Sequence, residues 1–374
     1  MSLKKLHHIL LAIDSISGRG AEKVVLSLSE ALLKLGHQVS IVIYEDTVEF
    51  NINRGINVYR LKPELHKGSR IFSRLTDGKN ANIFKSLLSE IETIHGHVDM
   101  ILSALPRIDR ILSRIKDNRI YHVIHNPLSL QNGIRKNSWR KKLSRIWHMK
   151  RVYDGRQIIT VSTGIGEDLI KYVKVRPASL KTIYNPFHFD DIKKLATEQL
   201  KLPSKIIGKD YLLHIGALTL QQKRQDVLIK AFALSGLTCN LILLGKGKDE
   251  KKIRALIKSH GISDRVFLAG FQANPYPWIK HARMLVLTSD YEGFGNVLVE
   301  AMALNTSALS TNCPTGPSEI FSQGMRDCLV PNGDIQALAE KMKKFYTKPP
   351  RIDRKNLKRF DASLIANEYL KLIP

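Results

Sequence analysis

Short apolar runs, each closed by glycine or a polar pair, recur along the chain and alternate with stretches of helical spacing. His8–Ile13, Val39–Tyr44, Val58–Leu61, Met100–Ala104, Tyr121–Ile124 and Ile158–Val161 form one series. Tyr211–Ile215, Asn240–Leu244, Val266–Leu268, Met284–Thr288 and Ser307–Ser310 form a second. Runs this short and this apolar predict strands buried on both faces, and intervening helices make parallel pairing the consequence. The opening unit shows the pattern: strand, a glycine-bearing turn over Ser15–Glu22, a helix to Leu35, then the second strand. Residues 187–207 are polar and basic with no strand signal and separate the two series. The expectation is an α/β chain with a parallel-sheet domain over 1–187, another over 188–352, and a closing segment over 353–374.

Residues 284–301 carry the most restrictive pattern. After the Met284–Thr288 strand, Gly293 and Gly295 permit a sharp turn around Phe294, and Asn296–Leu304 resumes with helical spacing. Strand, glycine loop and helix N-terminus together hold a phosphate against backbone N–H groups and the positive end of the helix dipole. Glu292 precedes the turn, and Glu300 follows it by eight positions within the helix. Two carboxylates so placed suit hydroxyls on either side of a diphosphate, as in a nucleotide-sugar. The plainer reading is a simple turn flanked by solvated helix charges. The N-terminal turn offers Gly18 and Gly20, but Lys23 stands where a third glycine would complete a dinucleotide fingerprint, which disfavours that fold.

Glu292–Glu300 resembles the E-x7-E motif of the retaining glycosyltransferases of family 4, which have the GT-B fold of two Rossmann-like domains facing across a central cleft. The resemblance extends from Gly18 to Gly333. It implies Glu300 on the donor ribose, Glu292 on the sugar hydroxyls, the Gly293–Phe294 backbone near the sugar, and Gly295 turning the chain into the helix. The N–H groups of Asn296, Val297 and Leu298 then face the diphosphate. Gly18-Arg-Gly20-Ala-Glu22 is similar to the family's Gly-Gly-Ala-Glu turn near donor phosphate and acceptor. The segment around Gly316-Pro-Ser-Glu-Ile320 resembles the version in lipopolysaccharide-core hexosyltransferases. The resemblance also implies that the final helix, Ala362–Leu372, crosses back onto the first domain.

His125 stands just past the end of a strand, on the face where parallel sheets bind ligands. A surface-loop histidine is the alternative, and the family resemblance implies a place near the donor sugar. His122, inside the strand, reads as structural. Lys223, in the loop after Gly216, is a fixed cation suited to a leaving nucleoside diphosphate; a solvated loop lysine is the other reading. In the family this loop reads Gly-Arg-Leu before the lysine. Here it reads Gly216-Ala217-Leu218, so the arginine is absent and Arg224 is the candidate stand-in. Ser162 or Thr163 reads as a helix cap. No Asp-x-Asp pair or His/Cys/Asp cluster has metal-ligand spacing, so neither a divalent ion nor a cofactor is expected.

Net charge is +25 over 374 residues, which favours an anionic partner. Between Arg107 and Arg156, 14 Lys or Arg face 3 Asp, a local net of +11. At its centre Trp139, Leu143, Ile146 and Trp147 recur at helical spacing among Arg140, Lys141, Lys142, Arg145, Lys150 and Arg151. Such a helix suits an anionic membrane surface, or else its apolar stripe packs on the domain core. Cys239, Cys313 and Cys328 read as reduced, small buried residues. The apolar run His7–Ile13 is too short for a signal peptide or a membrane span. The sequence thus reads as a cytoplasmic enzyme held at the inner face of the cytoplasmic membrane. It moves a hexose or N-acetylhexosamine from a nucleotide-sugar, UDP-linked, to a glycolipid or lipopolysaccharide-type acceptor, with no nucleic-acid partner. A sugar-nucleotide epimerase of the same fold and a basic nucleic-acid-binding protein are the alternatives.

Overall fold

A computed structural model describes residues 5–16, 20–45, 52–62, 70–135, 139–200, 202, 204–321 and 323–374, with backbone only at 70–75, 205 and 323. Its contacts divide the chain into two units. The first comprises Met1–Phe187 with Phe360–Pro374, and the second His188–Arg359. Residues 353–359 therefore belong to the second unit, and the returning segment begins at Phe360 rather than at 353.

The first unit holds a seven-stranded parallel sheet: β1 (His8–Ile13), β2 (Gln38–Ile43), β3 (Asn57–Arg60), β4 (Met100–Ala104), β5 (Ile120–Ile124), β6 (Gln157–Thr160) and β7 (Ser179–Thr182). Their order in the sheet is β3-β2-β1-β4-β5-β6-β7. The second unit holds six strands: β8 (Tyr211–Ile215), β9 (Asn240–Leu244), β10 (Val266–Gly270), β11 (Met284–Leu287), β12 (Ser307–Thr311) and β13 (Leu329–Val330). They run β10-β9-β8-β11-β12-β13, again parallel. Every residue of β1, β4, β5, β9 and β11 is buried, as expected of strands covered on both faces. The two strands without a counterpart in the sequence pattern, β7 and β13, are edge strands. One is Ser-Leu-Lys-Thr and the other two residues long, so neither carries an apolar run. The helix Arg70–His95, between β3 and β4, likewise has no counterpart among the sequence-based elements.

Helix ends follow local chemistry. Asp334 accepts from Ala337 N and Asp361 from Ser363 N, capping the helices that follow them. Ser162 occupies the N-cap of Thr163–Asp168, but its side chain makes no cap hydrogen bond, contrary to the expectation from sequence. The final helix, Ala362–Leu370, packs on Gly20–Lys34 within the first unit. Phe187 N donates to Phe360 O at 2.9 Å and Ala362 N to Phe187 O at 3.0 Å, adding a bridge beside the sheet. The fully buried Phe360 ring meets Tyr184 edge-on, centroids 5.3 Å apart.

Phe360 is thus the hydrophobic fastening of the returning segment. Phe360→Ala is expected to cost about 3–5 kcal/mol. In urea unfolding followed by circular dichroism, the first unit's midpoint should fall while the second unit's stays within error.

Candidate active site

β8 and β11 pair side by side, Leu212 against Met284 and Leu213 against Leu285, so the loops leaving their carboxyl ends are neighbours. Hydrogen bonds to backbone carbonyls lace these loops together. Thr288 Oγ1 donates to the carbonyls of Lys223 (2.9 Å) and Arg224 (3.1 Å), and Asp290 N donates to Gln222 O at 2.8 Å. Lys223 Nζ then donates to Glu292 Oε1 at 2.6 Å, and Ser289 Oγ donates to the same oxygen. Both charged side chains are largely buried, Lys223 at 16% and Glu292 at 9% exposure.

Glycines make this closeness feasible. A Cβ on Gly216 would lie 3.3 Å from Lys223 Cε, so the lysine stem packs tightly against the bare glycine. A Cβ on Gly245 would lie 2.0 Å from Gly216 O, and one on Gly247 2.3 Å from Leu218 O. The Gly-Lys-Gly turn after β9 thus lies directly on the loop after β8. Beneath Gly216 sits His214, fully buried, its Nδ1 2.9 Å from Val286 O. Burial pushes its pKa down to about 4, and Lys223 adds to the effect. The imidazole is therefore neutral at pH 7, and its Nδ1–H donates to that carbonyl.

Arg224, the expected second phosphate cation, is engaged elsewhere. Its Nε and Nη2 each meet a carboxylate oxygen of Asp226 at 3.0 Å, and Nη1 meets Asp290 at 2.9 Å. Its backbone is left-handed, φ 50°, at the N-cap of Gln225–Ser235. The residue clamps the loop to the β11 end rather than replacing the arginine missing at Ala217.

The glycine loop after β11 turns as its residues require. Gly295 has φ 101° and caps the helix Asn296–Ala303. Gly316, φ 91°, lies so close to Phe294 that a Cβ there would sit 2.2 Å from its carbonyl oxygen. Thr315 Oγ1 donates to the Glu292 carbonyl, fixing the loop from the other side. Leu298 N–H is directed to Gly295 O at 2.9 Å, which corrects its expected place among the groups facing a diphosphate. Asn296 and Val297 form the start of the helix as expected. Glu300 lies on the same helix, 3% exposed. All residues expected on the donor, from Gly216 to Glu300, lie in the second unit at the ends of these two strands.

The first unit carries the remaining ones. Gly18 lies outside the described residues. Gly20 opens the helix Gly20–Lys34, where buried Glu22 accepts from Ser15 Oγ at 2.8 Å. His125 follows β5, with Nε2 buried and lacking a hydrogen-bond partner, and burial pushes its pKa down to about 4. His122 is structural, as its place in the strand implies. Its Nδ1 lies 2.9 Å from buried Asp109, which also accepts from Ser103 Oγ and Tyr153 OH. Sequence reading missed Asp109, His214, Asp226 and Asp290. His214 had a signal, a polar residue inside an apolar strand; Asp109 and Asp290 had none, because the fold brings up most of their partners, while Asp226 pairs with Arg224 only two residues away.

Tyr153 ends the basic helix, Trp139–Tyr153, and only it and Val152 are buried there. Trp139, Leu143 and Trp147 are 65%, 57% and 53% exposed, which sets aside core packing for those three. Arg140, Lys141, Lys142, Arg145 and Arg151 are exposed beside them, with Lys150 half-buried. Arg140 and Arg151 lie over the Trp139 and Trp147 rings, at 5.2 and 4.8 Å. Among the described residues no helix is long and apolar enough to cross a membrane.

Two parallel-sheet α/β units, of seven and six strands, match the fold of GT-B glycosyltransferases. The family pattern for "Glycosyltransferase Family 4" matches residues 18–191, and that for "Glycosyl transferases group 1" matches 198–361. The chain belongs to the glycosyltransferases that these two domains describe. It is 25% identical over 370 residues to an N-acetylgalactosaminyltransferase of Campylobacter jejuni, covering 96% of this chain and 98% of that one. That relative is named for action on N-acetylgalactosamine-N,N'-diacetylbacillosaminyl-diphospho-undecaprenol. The lipopolysaccharide 1,6-galactosyltransferase of Escherichia coli is 26% identical over 206 residues, 53% of this chain and 55% of its own. Among solved structures, sucrose-phosphate synthase from Thermosynechococcus elongatus matches with TM-score 0.77 at 20% identity, covering 98% of each chain. The apo form of the lipopolysaccharide outer core galactosyltransferase WaaB matches with TM-score 0.66 at 19% identity, covering 98% of this chain and 99% of its own.

His125 and His214 both titrate far below the ordinary 6.5, and His8 is also lowered, chiefly by burial. Unfolding then takes up protons between pH 6.5 and 4, so stability present above 6.5 is lost as pH falls through that window. Asp14, pushed up to about 6, and Asp77, also raised by burial, work in the opposite sense but are two groups against three. Thermal midpoints should fall from pH 7 to pH 5. His214→Asn, whose amide can still donate to Val286 O, should flatten that slope.

Proposed function

We propose that the chain transfers a hexose or N-acetylhexosamine from a nucleotide-sugar, UDP-linked, to a hydroxyl of a membrane-bound glycolipid or lipopolysaccharide-type glycan, with retention and without a metal ion. The Lys223–Glu292 pair beside the Gly293–Gly295 loop is the observation that carries this reading. The bond from the anomeric carbon to the diphosphate oxygen breaks while the bond to the acceptor oxygen forms on the same face. The acceptor proton passes to the departing phosphate. Lys223, already fixed by Glu292, supplies positive charge where the leaving diphosphate gains negative charge, together with the start of the helix Asn296–Ala303. Glu292, shared between Lys223 and the sugar hydroxyls, links charge stabilisation to sugar recognition; Glu300 takes the ribose. His125, neutral and with an open Nε2, is the candidate for a hydroxyl of the transferred sugar. The relatives named for undecaprenyl-diphosphate and lipopolysaccharide substrates support a lipid-linked acceptor.

The exposed Trp139–Leu143–Trp147 stripe, flanked by cations, suits the lipid surface on which such an acceptor lies. Each basic residue near an anionic surface contributes about 1 kcal/mol.

UDP at about 100 times its dissociation constant should stabilise the protein by about 2.7 kcal/mol in thermal unfolding. Glu300→Ala should reduce that shift, and a shift with GDP or ADP alone would change the donor. Transfer from UDP-sugars to lipopolysaccharide core and to undecaprenyl-diphosphate glycans should persist in EDTA; Lys223→Ala should lower kcat by 10²-fold or more, about 2.7 kcal/mol on the loss of one such donor. Sedimentation with phosphatidylcholine vesicles should require phosphatidylglycerol and weaken with salt. Replacing Arg140, Lys141 and Lys142 by alanine should weaken it at least tenfold, about 1.4 kcal/mol.

A further inference from the structure

Leu105 follows β4 directly and has φ 88° and ψ 149°, a conformation that glycine enters freely and leucine does not. Its surroundings hold it there. Asp14, just past β1, accepts from Ile108 N at 2.8 Å and from Arg107 N at 3.2 Å. Asp109 N donates back to Leu105 O at 3.1 Å, closing the elbow into the helix Pro106–Leu112. The strand order puts β1, β4 and β5 side by side. Asp14, Leu105 and His125 therefore follow three neighbouring strands at one sheet edge, the edge where parallel sheets present ligands.

Two independent features meet at that edge. One is the backbone of Leu105, held in a sparsely populated conformation of the kind that clusters at functional sites. The other is the buried Nε2 of His125, which has no hydrogen-bond partner among the described residues. A hydroxyl of the transferred sugar would satisfy that nitrogen, as in the transferase reading, and the acceptor hydroxyl attacks beside that sugar.

We infer that Asp14 is a positioning residue for the acceptor, holding the Leu105 elbow as one wall of the acceptor subsite beside His125. The inference rests on the transferase reading above, in which the second unit binds the donor. It also places a titration in the reaction. Arg107, paired with Glu45 and lying over the Tyr44 ring, is the cation beside Asp14; Asp109, Tyr44 and Tyr153 are the other titratable groups that face it. Burial raises the Asp14 pKa to about 6, so its carboxylate loses acceptor capacity for the two N–H groups as pH falls through 6.

The test uses the full chain and the acceptor that turns over in the transfer panel. Asp14→Asn keeps one acceptor oxygen of the two. It should raise the acceptor KM about tenfold, leave donor KM and the UDP-induced thermal shift unchanged, and abolish the fall in kcat/KM for acceptor below pH 6. Leu105→Gly removes the strain that Asp14 opposes, so adding Asp14→Asn to that variant should change the acceptor KM less than threefold. An unchanged acceptor KM in Asp14→Asn, or an equal effect in both backgrounds, overturns the inference. If the wild type shows no UDP shift and no transfer, the transferase reading fails first and this inference falls with it. A donor KM that rises with the acceptor KM would overturn the acceptor assignment alone.

Discussion

A lysine and a glutamate 2.6 Å apart, both largely withdrawn from water, set the terms for the second unit. Withdrawing two charges is costly unless the geometry is good and further hydrogen bonds satisfy them. Here Ser289 supplies a second donor to Glu292, and Thr315 binds its carbonyl. The Lys223 stem packs against the bare face of Gly216, while Gly245 and Gly247 in one turn and Gly316 in another let two further turns approach backbone to backbone. Arg224, with Asp226 and Asp290, fastens the same loop from the opposite flank. The result is a cation held in place before any ligand arrives, which is the condition for stabilising charge without reorganisation.

The first unit meets the same requirement by other means. No buried ion pair of that kind stands at the ends of β4 and β5 among its described residues; a strained elbow follows β4 and a neutral histidine follows β5. Asp109 gathers Ser103, His122 and Tyr153 around one buried carboxylate, and Asp14 caps the backbone just before it. Because Tyr153 also ends the exposed basic helix, that helix is anchored to the core through a hydrogen bond while its tryptophans remain in solvent. The apolar stripe is thus displayed by construction, which fits a chain whose charge is strongly positive and whose relatives include enzymes named for lipid-linked glycans.

What the amino-acid sequence determined by itself was the alternation of buried strands and glycine turns, and the eight-residue spacing of Glu292 and Glu300. Both are local: an apolar run dictates burial on two faces, and a glycine pair before a helical stretch dictates a turn into an N-terminus. Edge strands β7 and β13 escaped because an edge needs no apolar run. Tertiary structure alone decided the partners. Arg224 reads as a phosphate cation until Asp290, distant in sequence, is brought beside it. The stripe of the basic helix has the same periodicity whether it faces core or water, and only packing chose water. The strain at Leu105 leaves no mark on composition, since it is imposed by a carboxylate from another strand. Periodicity and turn chemistry act within a few residues; charge pairing, exposure and strain are settled by which distant strands lie side by side.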